Sequence, residues 1–175
     1  ESVTIPEGVT AIEAYAFGSC NLNALKLSES LTTLGSNAFE SCKSLKTIKI
    51  PSGVTAIPDQ CFDGCSSLES VTIPEGVTDI GASAFNGCNL NALTLPESLT
   101  TLGDRAFSGC KNLESVTLPE SLTILGDYAF ENCKSLKAVK IPSGVTAIPG
   151  RCFRECSSLK SVTIPEGVTD IGVAA

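Results

Sequence analysis

The chain has 175 residues, nine cysteines, a net charge of −7 and no histidine, tryptophan or methionine. That length is enough for one domain with a sizeable core, while the missing histidine removes the commonest metal ligand and general base, and with it Ser-His-Asp and Cys-His machinery. The acidic balance argues against nucleic acid, whose phosphates need a basic footprint. No apolar run exceeds four residues, so neither membrane insertion nor a signal-peptide core is expected. A first residue other than methionine reads as a processed chain or an excised fragment.

The cysteines mark an internal repeat. Seven of them follow a phenylalanine by three places: Phe17/Cys20, Phe39/Cys42, Phe62/Cys65, Phe85/Cys88, Phe107/Cys110, Phe130/Cys133 and Phe153/Cys156. Successive pairs are 22 or 23 residues apart, which divides the chain into coils 1–22, 23–45, 46–68, 69–90, 91–113, 114–136, 137–159 and a truncated 160–175. No stretch is left for a linker or a second domain. Some coils are near copies: SVTIPEGVT recurs at 2–10, 70–78 and 161–169, and KIPSGVTAIP at 49–58 and 140–149. Such likeness points to recent duplication or to deliberate idealisation.

Within coil 69–90 the elements follow in order. Leu68-x-x-Val71-x-Ile73 alternates with period two and predicts a short strand with Val71 and Ile73 facing inward. Pro74 has no N–H to donate and ends it, and Pro74-Glu75-Gly76 predicts a turn. Val77 and Ile80 then cross the coil in extended form, and residues 82–88 predict one short helical or 3₁₀ turn that plants Phe85 in the core. Equivalent strands stacked about 4.8 Å apart predict a parallel sheet roughly 35–40 Å long.

The pattern LxxVxIPxxVTxIgxxAFxxC resembles the leucine-rich repeats of Treponema and of BspA-like bacterial surface antigens, and the resemblance runs along the whole chain. It implies an α/β, right-handed solenoid with a parallel sheet on the concave face and extended segments with short 3₁₀ or helical turns on the convex face. It further implies a fragment of a longer array, a cell-surface or secreted location, and recognition of a protein partner on a host, in matrix or on a neighbouring cell. Departures are few: Ser28 replaces the strand-ending proline, Pro58 and Pro149 replace a glycine, and Val173-Ala174-Ala175 replaces Ala-Phe-x-x-Cys.

The periodic cysteines read first as a buried ladder of reduced thiols, since free cysteine behaves as a small hydrophobe. Disulfides between neighbouring coils stay open on geometry, with one thiol left over. Zinc is disfavoured by the spacing and by the absent histidine. Cys61 and Cys152 stand in place of alanine before phenylalanine and read as larger core plugs, with a redox-active or metal-binding Cys-x₃-Cys as the alternative. No residue set supplies a base, a nucleophile–base pair or a phosphate loop, so neither catalysis nor a cofactor is expected.

Four surface columns follow from the repeat. The outward strand column is Thr4, Lys26, Lys49, Thr72, Thr94, Thr117, Lys140 and Thr163, which lacks the aromatic and arginine residues of binding hot spots. Beside it, Lys46 with Glu69 and Glu114 with Lys137 read as cross-strand pairs, and Glu7, Glu29, Glu75, Glu97, Glu120 and Glu166 form an acidic stripe suited to solubility. Variety concentrates in the turn region, at Tyr15, Asn37, Gln60, Ser83, Arg105, Tyr128 and Arg151, with Arg154 close by. Tyr15, Arg105, Tyr128, Arg151 and Arg154 are therefore the candidate partner-binding residues. A structural scaffold without a natural ligand is the alternative to an adhesion module, and uncapped terminal coils would allow end-to-end association.

Overall fold

A computed structural model describes every residue from Glu1 to Ala175. Each coil opens with a three-residue strand: β1 (Ser2–Thr4), β3 (Ala24–Lys26), β5 (Thr47–Lys49), β7 (Ser70–Thr72), β9 (Ala92–Thr94), β11 (Ser115–Thr117), β13 (Ala138–Lys140) and β15 (Ser161–Thr163). A two-residue strand follows in each: β2 (Ala11–Ile12), β4 (Thr33–Leu34), β6 (Ala56–Ile57), β8 (Asp79–Ile80), β10 (Thr101–Leu102), β12 (Ile124–Leu125), β14 (Ala147–Ile148) and β16 (Asp170–Ile171). The central residue of each longer strand turns toward the core and its two neighbours stay exposed, as period-two alternation requires. A β-turn then closes on the strand-ending proline, as in Val54 N–H to Pro51 O (3.1 Å) and Leu99 N–H to Pro96 O (3.1 Å). Ser28 keeps this turn without a proline, because its buried hydroxyl accepts the Ser30 N–H (3.1 Å) and donates to Glu7 (3.2 Å).

All pairing is parallel and in register between equivalent positions, for example Ser2 with Ala24 and Thr101 with Ile124. The expected single long sheet is divided, however. The longer strands form four separate pairs, β1–β3, β5–β7, β9–β11 and β13–β15, and the shorter ones form β2–β4, the run β6–β8–β10–β12, and β14–β16. Strands of two or three residues have few N–H groups to share with two neighbours.

The expectation of an α/β fold with helical or 3₁₀ turns is corrected: the chain contains no helix, and the solenoid is built of parallel strands and turns. Residues 81–88 show why. Three chained turns close with Ala84 N–H to Gly81 O, Asn86 N–H to Ser83 O and Cys88 N–H to Phe85 O. The intervening N–H groups of Ser83, Phe85 and Gly87 instead reach the next coil, at Asp104 O (2.8 Å), Ala106 O (2.8 Å) and Ser108 O (2.7 Å). A helix would aim all of these along its own axis. Alternation requires left-handed backbone, found at Ser83 (φ 55°) and Gly87 (φ 68°). Positive φ at the third residue is the signature of a type II turn.

Between these layers runs one core. The seven phenylalanine rings stack along it with centroids 5.3–5.8 Å apart and planes within 11° of parallel, inside the range where aromatic pairs attract. Phe39, Phe62, Phe85, Phe107 and Phe130 are fully buried, while Phe17 in the first coil is half-buried. All nine cysteines are free thiols. From the second coil onward each periodic thiol donates to the phenylalanine carbonyl one coil earlier: Cys42 to Phe17, Cys65 to Phe39, Cys88 to Phe62, Cys110 to Phe85, Cys133 to Phe107 and Cys156 to Phe130, at 3.1–3.3 Å. Cys61 and Cys152 are wholly buried at the position that Ala38 and Ala84 fill elsewhere.

Two predictions follow from this packing. A methyl group at Gly126 would lie 2.4 Å from backbone atoms of Gly103 and Asp104, so Gly126→Ala is expected to cost about 2–3 kcal/mol. Ser41, at φ 56°, carries a left-handed strain that glycine does not, and Ser41→Gly is expected to gain up to about 1 kcal/mol. Denaturant titration measures both, and equal effects of one sign would contradict this account of the coil contacts. The second concerns the thiols. Burial pushes the Cys42 thiol up to about 11 and those of Cys65 and Cys110 up to about 12, so almost no thiolate, the reactive form, exists at pH 8. Half-buried Cys20 should be alkylated first in the native protein, with the buried Cys42, Cys65 and Cys110 following only on unfolding. Mass spectrometry after native labelling decides, and early modification of several buried cysteines would contradict it.

Candidate functional site

The strand face places all eight residues of its column, Thr4 to Thr163, in solvent. Two of its three lysines, Lys49 and Lys140, are engaged within the chain. Lys49 binds Glu29 (2.7 Å) and Lys140 binds Glu120 (2.6 Å), each reaching from strand to the acidic stripe of the preceding coil. The Ser143 hydroxyl and amide also donate to Glu120. Of the two expected cross-strand pairs, Lys137–Glu114 forms (2.5 Å) and Lys46–Glu69 does not. Hydrogen bonds from Lys137 and Lys140 hold the Glu114 and Glu120 carboxyls below their ordinary range. The acidic stripe is thus partly neutralised by its own neighbours. The lysine–glutamate spacing of 20 residues was the available signal for these contacts.

The second strand layer carries an exposed threonine in every coil, and successive threonines bond along the stack. Thr32 Oγ1 donates to Thr10 O (3.2 Å), Thr100 Oγ1 to Thr78 O (3.1 Å) and Thr123 Oγ1 to Thr100 O (3.4 Å). Asparagines do the same on the flank, with Asn112 Nδ2 donating to Asn89 Oδ1 (2.6 Å). These ladders satisfy polar groups between coils, which leaves little on that face free for a partner.

The turn face differs. Its variable column, Tyr15, Asn37, Gln60, Ser83, Arg105, Tyr128 and Arg151, sits at left-handed backbone in every coil, with φ between 55° and 60°. In this column Tyr15, Gln60, Arg105 and Arg151 are exposed, Ser83 and Tyr128 half-buried and Asn37 buried, while from the second coil onward the following alanine or cysteine turns into the core. The structure brings three candidate residues together. The Arg105 Cζ lies 4.2 Å and the Arg151 Cζ 5.4 Å from the centroid of the Tyr128 ring, and Arg151 also donates to the tyrosine hydroxyl. Arg154 is held apart from them by Glu131 (3.0 Å) and Glu155 (3.3 Å). Tyr15 stands alone in the first coil, 65% exposed. A second left-handed column, Ser19, Ser41, Gly64, Gly87, Gly109, Asn132 and Glu155, flanks the first. Its glycines and asparagine were a legible sign of that backbone, which the helical reading passed over.

Comparison with known proteins agrees with this architecture. The model of the BspA type leucine-rich repeat region matches in six copies, over residues 1–104 and 78–175. A leucine-rich repeat protein from Bacteroides ovatus superposes with a TM-score of 0.94 at 34% identity, covering 98% of this chain and 47% of that one. The leucine-rich repeat protein of T. pallidum gives 0.78 at 29% identity, over 98% of this chain and 72% of that one. A leucine-rich cell surface protein from Faecalibacterium prausnitzii gives 0.67 at 30%, over 93% and 59%. The chain therefore spans about half the length of the Bacteroides protein. No curated protein matches it by sequence. Six repeat-model copies on a stack of parallel-stranded coils place the chain in the BspA-type leucine-rich repeat family.

Proposed function

We propose that this chain is a non-enzymatic recognition module of a bacterial cell-surface protein, binding a protein of a host, of matrix or of a neighbouring cell through its turn face. One observation carries the reading: Arg105, Tyr128 and Arg151, on three successive coils, are stacked against one another on otherwise small or polar turns. Tyrosine and arginine dominate binding hot spots, because each offers a large contact area with directional donors. Here they rise from a backbone hydrogen-bonded coil to coil, so less freedom is lost on binding. The strand face, by contrast, offers threonines and few lysines, of which Lys49 and Lys140 are already tied to glutamates. A surface location is supported by likeness to the Faecalibacterium cell surface protein.

The test is binding of the folded chain to a panel of immobilised matrix and cell-surface proteins. Replacement of Arg105, Tyr128 and Arg151 together is expected to weaken the interaction at least about tenfold, with replacement of Thr72, Thr94 and Thr117 leaving it intact. Absence of binding across the panel, or the opposite dependence on the two faces, would overturn the proposal.

A further inference from the structure

We infer that the Arg105–Tyr128–Arg151 stack is a carboxylate-binding site that takes an acidic segment of a protein partner, an inference that rests on reading the turn face as protein-binding. Both guanidiniums lie against the Tyr128 ring, and both arginines are exposed to solvent. Each guanidinium has five N–H donors. Arg105 spends none on another group of the chain, and Arg151 spends one on the Tyr128 hydroxyl. Arg154, three residues beyond Arg151, shows the contrast, since two carboxylates already meet its charge. Two guanidiniums held in place and unpaired are what a carboxylate engages with parallel hydrogen bonds.

The surroundings sharpen the ligand. Beside the stack lies an open trough of about 410 Å³ lined by Asp127, Tyr128, Gly150, Arg151, Gly172 and Val173. The two glycines leave room for a side chain to reach Arg151. One Asp104 carboxylate oxygen accepts the Asp127 amide (2.8 Å), and Asp127 itself lines the trough and opposes an entering anion. With a net charge of −7, the chain as a whole repels polyanions. An acidic ligand that binds must therefore be held by these local donors.

The probe is fluorescein-labelled hexaglutamate, followed by anisotropy at low ionic strength, with hexaserine and a sulfated heparin oligosaccharide as comparators. Hexaglutamate is expected to bind and hexaserine not. Arg105→Gln and Arg151→Gln should each weaken binding about tenfold, the loss expected for a charge-assisted contact. Glutamine already occupies this left-handed position at Gln60 (φ 57°), so the backbone accommodates both variants. Tyr128→Asn, which has its precedent at Asn37, should weaken binding with both arginines kept, because the ring only positions them. Arg154→Gln should change nothing, and Asp127→Asn should strengthen binding a few-fold.

No hexaglutamate binding, an equal loss with Arg154→Gln, or preference for the heparin oligosaccharide would each overturn the inference. The broader reading fails separately. Panel proteins lost with Arg105 and Arg151 while hexaglutamate never binds would leave protein recognition standing and refute the carboxylate site. Hexaglutamate bound specifically while no panel protein binds would do the reverse.

Discussion

Each coil can satisfy its backbone only through the coils on either side of it. A 22- or 23-residue turn of chain has no sheet or helix of its own, so its N–H and C=O groups must pair one coil up or down at a spacing near 5 Å. Everything else is subordinate to that requirement. Strand residues meet it with ordinary parallel pairing. The turns on the far side meet it by alternation, with one N–H closing the local turn and the next reaching across, as at residues 83–88. That alternation needs two left-handed residues per coil, and the chain accepts them even where the residue is tyrosine or arginine. Non-glycine residues pay about 1–2 kcal/mol each for such backbone, which the repeated pairing between coils offsets.

The thiol ladder belongs to the same logic. Each phenylalanine carbonyl already accepts the N–H of the cysteine three residues on, as Phe62 O accepts Cys65 N–H (3.2 Å), and its second lone pair faces the next coil. A cysteine there supplies a weak donor at 3.1–3.3 Å while otherwise behaving as a small hydrophobe. Serine would be a stronger donor but costlier to bury, and alanine would leave the carbonyl with one partner. Repetition of this contact beside the ring stack couples every coil to the next through one apolar column, so loss of one ring would be felt on both sides.

Periodicity made the coil, its first strand, the proline stop and the apolar columns readable from residues alone, because Val71, Ile73, Pro74 and Phe85 each announce a local preference that the fold obeys. The turns were not readable in the same way. Ala-Ser-Ala-Phe-Asn-Gly-Cys has the composition of a helical turn, and its actual path depends on acceptors in another coil, 21 residues further on. Lys137–Glu114 was legible as a pair of strand neighbours, but Lys49–Glu29 and Lys140–Glu120 were not, because each runs from a strand to the turn column of the preceding coil. Column alignment did locate Arg105, Tyr128 and Arg151 on neighbouring coils. It gave no warning that two guanidiniums would lie over one ring, since that depends on side-chain direction.

The candidate surface and the backbone strain coincide for a mechanical reason. A left-handed residue between two hydrogen-bonded neighbours has its Cβ driven outward, away from the core that the following alanine and phenylalanine fill. Apart from the buried Asn37, its side chain is at least partly released from packing and varies in identity, from Ser83 to Tyr128, without disturbing the stack beneath. The other columns lack this freedom, being tied by threonine ladders, by thiols or by lysine–glutamate pairs. A solenoid that changes its binding chemistry by substitution would do so at this column first, because there a new side chain meets solvent and its column neighbours alone. Arginine above tyrosine above arginine is one such setting, made rigid by coils that were going to stack regardless of what the column carries.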